Sequence, residues 1–282
     1  MPESLRILIV GAHPDDADYS AGGLAAIYRR GGHVVKMVSV TDGRSGHHAN
    51  PGPAMVARRR AEAAAAGAII GAEYITLDAP DGGLLPTLEN RAVLIKLIRE
   101  FHPDLVLTHR PNDYHPDHRY TSQLVQDSSY MLTVPAVVPE VPHLSQMPVI
   151  AYMPDDFQKP YPLTPTVAVD VGPVLDDIVA MLDCHVSQFY EWLPYNRGIL
   201  DQVPKDSVGR RAFLRTEIEG ILRRRADRFR ELLIVIYGRE RGQKIEFAEA
   251  YEPCEYGSPM DEDAVRRLFP FLFELQARQS PV

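Results

Sequence analysis

What most constrains this chain is an alternation of short apolar runs and longer amphipathic stretches over its first 130 residues. Leu5 to Val10, Val34 to Val40, Tyr74 to Leu77 and Leu105 to Thr108 have strand length and the apolar character of strands covered on both faces. Between and after them, Asp18 to Arg30, Pro53 to Ala68, Leu88 to Phe101 and Pro116 to about Ser129 read as helices. The first three are followed by Gly31-Gly32, Gly71 and Pro103, which end helices. Strands joined by helices of this length imply an α/β fold, a Rossmann-like, mostly parallel sheet flanked by helices.

The rest reads differently. Prolines 135, 139, 142, 148, 154, 160, 162 and 165 remove backbone donors and block regular elements. An ordered loop is expected there, with one strand at Val149 to Met153 and another at Thr166 to Val171. Pro173 to Tyr190 reads as a helix with Pro173 in its first turn. Ala212 to Tyr237 reads as one long amphipathic helix, and Phe247 to Tyr251 as a late edge strand. Residues 1–130 are therefore expected to form a Rossmann-like core. Residues 131–282 would supply a Pro-rich insert and a C-terminal α/β extension completing the same domain.

Composition narrows the function classes. Thirty basic against thirty-eight acidic residues give a net charge of -8, which argues against nucleic acid as a partner. No apolar run reaches the length of a membrane span, and MPESLRILIVGAHPDD does not read as a signal peptide. Cys184 and Cys254 lack zinc-finger or redox spacing and fit a reducing, cytoplasmic setting.

Ten histidines stand out. The first strand empties into Gly11-Ala12-His13-Pro14-Asp15-Asp16, at the carboxyl rim where open α/β sheets bind ligands. His13, Asp15 and Asp16 are costly to desolvate together unless a divalent cation joins them. His13 and Asp16 can reach one ion, leaving Asp15 to hold a water beside it. The plain alternative is a polar turn with Asp16 or Asp18 capping the next helix. His109 and then Asp113-Tyr114-His115-Pro116-Asp117-His118 follow the fourth strand on the same rim. His115 and His118, three apart, share a helix face; one can complete a metal site and the other serve as acid or oxyanion donor. Imidazole with carboxylate favours zinc over magnesium, while ferrous iron also accepts such a set.

HPDD after the first strand, Thr41-Asp42-Gly43 after the second and HPDH at 115–118 together resemble the LmbE-like, or PIG-L, deacetylase superfamily. Gly22-Gly23, Arg59 with Glu62, His185 with Ser187-Gln188, and Ala248-Glu249-Ala250-Tyr251 extend the resemblance. It implies the LmbE-like fold, with zinc on His13, Asp16 and His118. It also implies Asp15 as general base, His115 as general acid or oxyanion stabiliser, and Asp117 orienting a histidine. Arg44 and Arg59 would lie near the substrate. Asp113 stands where several amino-sugar deacetylases have a tyrosine, with Tyr114 next to it.

The implied activity is zinc-dependent hydrolysis of an acetyl or other acyl group from a small N-acetylated amino sugar or glycoconjugate, by a homo-oligomer. The alternative is the superfamily's hydratase activity on unsaturated dicarboxylic acids, which an arginine pair gripping carboxylates would favour. Asp78, Asp81, Tyr114 and His185 are further candidates for substrate contact. His185 and Gln188 also read as a buried hydrogen-bonded pair, and Trp192 with Tyr190 and Tyr195 as a sugar platform or as packing.

Overall fold

The computed structural model describes residues 4–273. Its strands are β1 (Arg6–Gly11), β2 (Val34–Thr41), β3 (Glu73–Ala79), β4 (Leu105–Thr108), β5 (Val149–Tyr152), β6 (Val167–Asp170) and β7 (Ala248–Pro253). They form one seven-stranded sheet in the order β3-β2-β1-β4-β5-β7-β6. β1 to β5 pair in parallel; β7 runs antiparallel between β5 and β6. The helices of the first half are α1 (Asp16–Arg30), α2 (Pro53–Ile69), α3 (Leu88–Phe101) and α4 (Pro116–Ser129). The second half adds α5 (Leu175–Asp183), the single turn α6 (Leu193–Asn196), α7 (Ser207–Arg228), α8 (Arg230–Tyr237), the turn α9 (Arg239–Gly242) and α10 (Glu262–Leu268).

The core lies on both faces of the sheet, as the period of a strand dictates. In β1, Ile7 and Ile9 join a cluster with Leu24, Met37, Val179 and Leu222. Leu8 and Val10 join the opposite one with Val38, Leu94, Ile98 and Leu124. Local signals set the helix ends. The Thr87 hydroxyl accepts from the Asn90 amide at the start of α3, and His102 closes that helix in the left-handed region (φ 51°).

Three boundaries differ from expectation. The segment read as one helix from Pro173 to Tyr190 is a 3-10 turn, then α5, which ends at Asp183, then a π-helical turn at Ser187–Trp192. The long helix begins earlier, at Ser207, where the Asp206 carboxylate accepts from the Gly209 amide, and it breaks at Phe229 (φ −107°, ψ 26°). The late strand is interior to the sheet, with β6 at the edge, because the chain returns after its C-terminal helices and β7 pairs antiparallel with both β5 and β6.

The Pro-rich loop between α4 and β5 is tied down by one side chain. Arg99, fully buried on α3, donates to the carbonyls of Met131, Leu132, Val134, Val137, Val138 and Val141 at 2.7–3.1 Å. These carbonyls lie in a segment without ladder partners, so the guanidinium fork supplies the donors that strands or helices otherwise would.

Candidate metal centre and its cleft

β1 pairs with β2 on one side and β4 on the other, so the chain order reverses between β1 and β4. A crevice opens beyond the carboxyl ends of strands at such a point. His13 and His109 leave the two strands there. The loop after β1 turns tightly: the amides of Asp15 and Asp16 both donate to the His13 carbonyl, and the His13 amide donates to Asp16 Oδ2 at 2.6 Å. Gly11 permits this, since a Cβ there would stand 2.6 Å from the Asp16 Cβ.

Three side chains converge. His13 Nδ1 lies 3.2 Å from both Asp16 Oδ2 and His118 Nε2, and His118 Nε2 lies 3.5 Å from Asp16 Oδ1. A tetrahedral ion with bonds of 2.0–2.1 Å separates its ligand atoms by about 3.3–3.4 Å. The two ring nitrogens match that separation and each has a different Asp16 oxygen within 3.5 Å, so the donor types suit a zinc-sized cation. The outer nitrogens face carboxylates, the kind of partner that orients a metal-binding ring. His13 Nε2 lies 3.3 Å from Asp117 Oδ2 and from Asp81 Oδ1, and His118 Nδ1 lies 3.1 Å from Asp113 Oδ1. Asp117 is itself anchored by the Gly82 amide at 2.7 Å. Burial pushes the Asp16 carboxyl up, but His118, His109 and His13 together hold it well below the ordinary range.

His109 was read from sequence only as a member of the second cluster, without a role. Its ring stacks on His118 with centroids 4.1 Å apart, and its Nε2 lies 3.2 Å from Asp16 Oδ2. Three overlapping groups bring candidate ligand atoms within 4.8 Å of one another: Asp16, His109 and His118; His13, His115 and His118; and His13, Asp81, His115 and Asp117. The Ala12 amide, however, donates to His109 Nε2 at 3.0 Å. That bond occupies the lone pair a metal needs, which leaves His13 the better donor.

Asp15 points away from this trio. Its Oδ1 accepts from Arg59 Nη2 at 2.9 Å, and the same nitrogen holds the Pro14 carbonyl at 3.1 Å. Burial raises the Asp15 carboxyl above its ordinary value despite the pull of Arg59. His115 caps α4: its Nδ1 accepts from the Asp117 amide at 3.2 Å. With Nδ1 so engaged, the neutral ring carries its proton on Nε2.

Asp15, Arg59, Tyr114, His115 and the trio all line one cleft of about 580 Å³. Three expected contacts do not reach it. Arg44 turns back onto Asp42, with its Nε 2.7 Å from Oδ2. Asp78, its side chain 92% exposed, pairs with Arg60 on the outer surface. His185, 0% exposed, is bound to Asp18 Oδ2 at 2.8 Å beneath the HPDD loop. Asp81, three residues beyond Asp78 and past the end of β3, lines the cleft instead. Gln188 lines it too, delivered by the π-helical turn, and its amide donates to the Gly46 carbonyl at 2.9 Å.

Comparison with known proteins agrees with this geometry. Residues 8–129 match the profile of PIG-L, GlcNAc-PI de-N-acetylase, a stretch that spans both histidine clusters. Beyond the PIG-L segment, similarity continues. A 4-oxalmesaconate hydratase of Pseudomonas putida is 27% identical over 203 residues, 69% of this chain and 78% of that protein. A diacetylchitobiose deacetylase of Thermococcus kodakarensis is 29% identical over 210 residues, 69% of this chain and 76% of that protein. The structure of N,N'-diacetylchitobiose deacetylase from Pyrococcus horikoshii matches the fold with a TM-score of 0.69 at 21% identity, covering 90% of this chain and 85% of that one. The relatives are thus deacetylases and a hydratase. No helix among the described residues is long and apolar enough to cross a membrane.

Proposed function

We propose that this chain is a zinc-dependent deacylase that hydrolyses the amide of a small N-acetylated sugar or glycoconjugate. The observation that carries the reading is the spacing of His13 Nδ1, Asp16 and His118 Nε2, 3.2–3.5 Å apart, with the partly buried Asp15 carboxylate beside them. His13, Asp16 and His118 would hold the ion. Zinc bound there would acidify a water from a pKa of 15.7 toward about 7 and polarise the acyl oxygen.

The remaining roles belong to this chain's own groups. Asp15 accepts the proton of the attacking water; its raised affinity for protons suits a carboxyl that must hold one briefly and then pass it to the departing amine. Arg59 keeps Asp15 oriented while the proton is absent. His115, with its Nδ1 occupied, offers Nε2–H to the oxygen that gains charge. Asp117 and Asp113 hold the rings of His13 and His118.

Hydration of an unsaturated dicarboxylic acid is the second reading. It is favoured by the similarity to the Pseudomonas hydratase and by the presence of Arg224 and Arg225 on the cleft wall. One assay separates the two. Acetate release is measured on N-acetylglucosamine derivatives and loss of ultraviolet absorbance on unsaturated dicarboxylates, before and after chelation and again after adding zinc or ferrous iron. The deacylase reading expects acetate release that chelation abolishes and zinc restores. Absorbance loss without acetate release would overturn it in favour of the hydratase. A cytoplasmic homo-oligomer remains our expectation for the assembly, with free Cys184 and Cys254 suiting a reducing compartment.

A further inference from the structure

The cleft is also walled by Trp192 of the π-helical turn, by Ile221, Arg224 and Arg225 of α7, and by Tyr19 of α1. Positions 221, 224 and 225 are three and four apart on α7 and form one surface. Arg225 also continues the buried stripe of that helix after Leu214, Ile218 and Leu222, where the periodicity calls for an apolar side chain. It is only 8% exposed, and its Nη1 has no hydrogen-bond acceptor.

Neighbouring arginines are neutralised. On α7, Arg223 pairs with Glu246 at 2.7 Å and Arg228 with Asp156 at 3.4 Å. On the cleft wall, Arg197 engages both oxygens of Glu217 at 3.0 and 2.9 Å, and Arg110 pairs with Asp155 at 2.8 Å. Among the described residues, no carboxylate lies within ion-pair distance of Arg224 or Arg225. Glu249 feels the Arg225 charge, but its oxygens already accept from the Gly23 and Leu24 amides and the Tyr251 hydroxyl. Arg225 has instead the face of Tyr19, its Cζ 5.9 Å from the ring centroid, at the outer limit of a cation–π contact. A guanidinium cannot neutralise itself by losing a proton. Buried without a counter-charge, it is costly unless an anion arrives.

We infer that Arg224 and Arg225 bind an anionic group of the substrate, a carboxylate or a phosphate, at the α7 wall of the cleft. The inference rests on the deacylase reading for what happens at the proposed metal and narrows it to negatively charged N-acyl compounds. Both anion types match the guanidinium fork. A cleft of about 580 Å³ accommodates one molecule reaching from the amide site to α7.

The test is calorimetric titration of the zinc-loaded protein with N-acetylglucosamine, N-acetylglucosamine 6-phosphate and N-acetylmuramic acid, with acetate release measured on the same three. At least one charged sugar should bind about tenfold tighter than the neutral one, the scale of one charge-assisted hydrogen-bond pair. Which of the two does so identifies the anion as phosphate or carboxylate. Arg224→Gln, at an exposed position, and Arg225→Lys, which keeps charge but loses the fork, should each remove most of that preference. Arg223→Gln, whose side chain pairs outside the cleft, should keep it. Equal binding of neutral and charged sugars, or a preference untouched by both Arg224→Gln and Arg225→Lys, overturns the inference. Arginine-dependent binding without acetate release from any sugar supports the anion site while overturning the deacylase reading. Acetate release indifferent to substrate charge, with no arginine-dependent preference, overturns the anion site alone.

Discussion

At the residue scale, the division of labour within HPDD rests on direction. His13 and Asp16 face His118, whereas Asp15 faces Arg59. Asp15→Ala should therefore lower kcat by about 10²–10⁴-fold, the usual contribution of a general base, with metal content per chain unchanged. A D15A protein that turned over at the wild-type rate with its metal bound would remove Asp15 from the mechanism. Asp113 makes the contrasting case. Its carboxylate lies 3.1 Å from the outer nitrogen of His118, so Asp113→Ala should weaken metal affinity by about 10–100-fold, measured by competition with a chelator. Both clusters were legible in the sequence, because each follows directly on a strand and carries residue types that need a cation. The involvement of His109 was half-legible: it leaves β4 as His13 follows β1, yet its contact with Asp16 joins residues 93 apart. His185 misled for the converse reason. Its spacing to Gln188 marks a helix face, but no periodicity says that this face meets Asp18 beneath the loop instead of the solvent-filled cleft.

Among the elements, several residues that carry the family resemblance form structural contacts. The ladder of α1 is interrupted at Ala21 (φ −140°, ψ 20°). The amides of Gly23 and Leu24 then donate to the two oxygens of Glu249 on β7, both at 2.8 Å. Gly23 must be glycine, since a Cβ would stand 2.5 Å from the Val171 side chain. Glu249→Gln replaces an accepting oxygen with a donor facing an amide, which should cost roughly 1–3 kcal/mol of stability by urea denaturation. A second test concerns His185. Burial alone would depress its pKa, but the Asp18 carboxylate raises it above the ordinary value. A folded value above the unfolded one means that this pair's contribution is complete below about pH 6.5 and fades as pH rises through the raised value. The wild type should lose stability over that rise, and His185→Gln should flatten the loss in denaturation midpoints taken from pH 6 to 9. An unchanged slope would show that the pair does not titrate there. The helix centres were legible from periodicity, whereas the breaks at Cys184 and Phe229 were not. Apolar residues continue across both, so the pattern carried no stop signal.

For the whole molecule, the alternation of the first half dictated a parallel sheet, and the reversal between β1 and β4 turned two distant motifs into one site. The second half contributes to the same sheet through β5, β7 and β6, and it supplies part of the cleft wall from α7 and the π-helical turn. That wall was not legible. The run RRRADR in α7 reads as a solvated face, and only the packing shows Arg224 and Arg225 on the cleft while Arg223 and Arg228 pair elsewhere. The central claim is that one divalent ion joins the two motifs through His13, Asp16 and His118. Anomalous difference maps from crystals of the zinc-loaded protein, collected on both sides of the zinc edge, test it most directly. The account predicts one peak bonded to His13 Nδ1, Asp16 and His118 Nε2, with His109 outside bonding distance. A peak ligated by His109 in place of His13, or no peak between the two motifs, would contradict it.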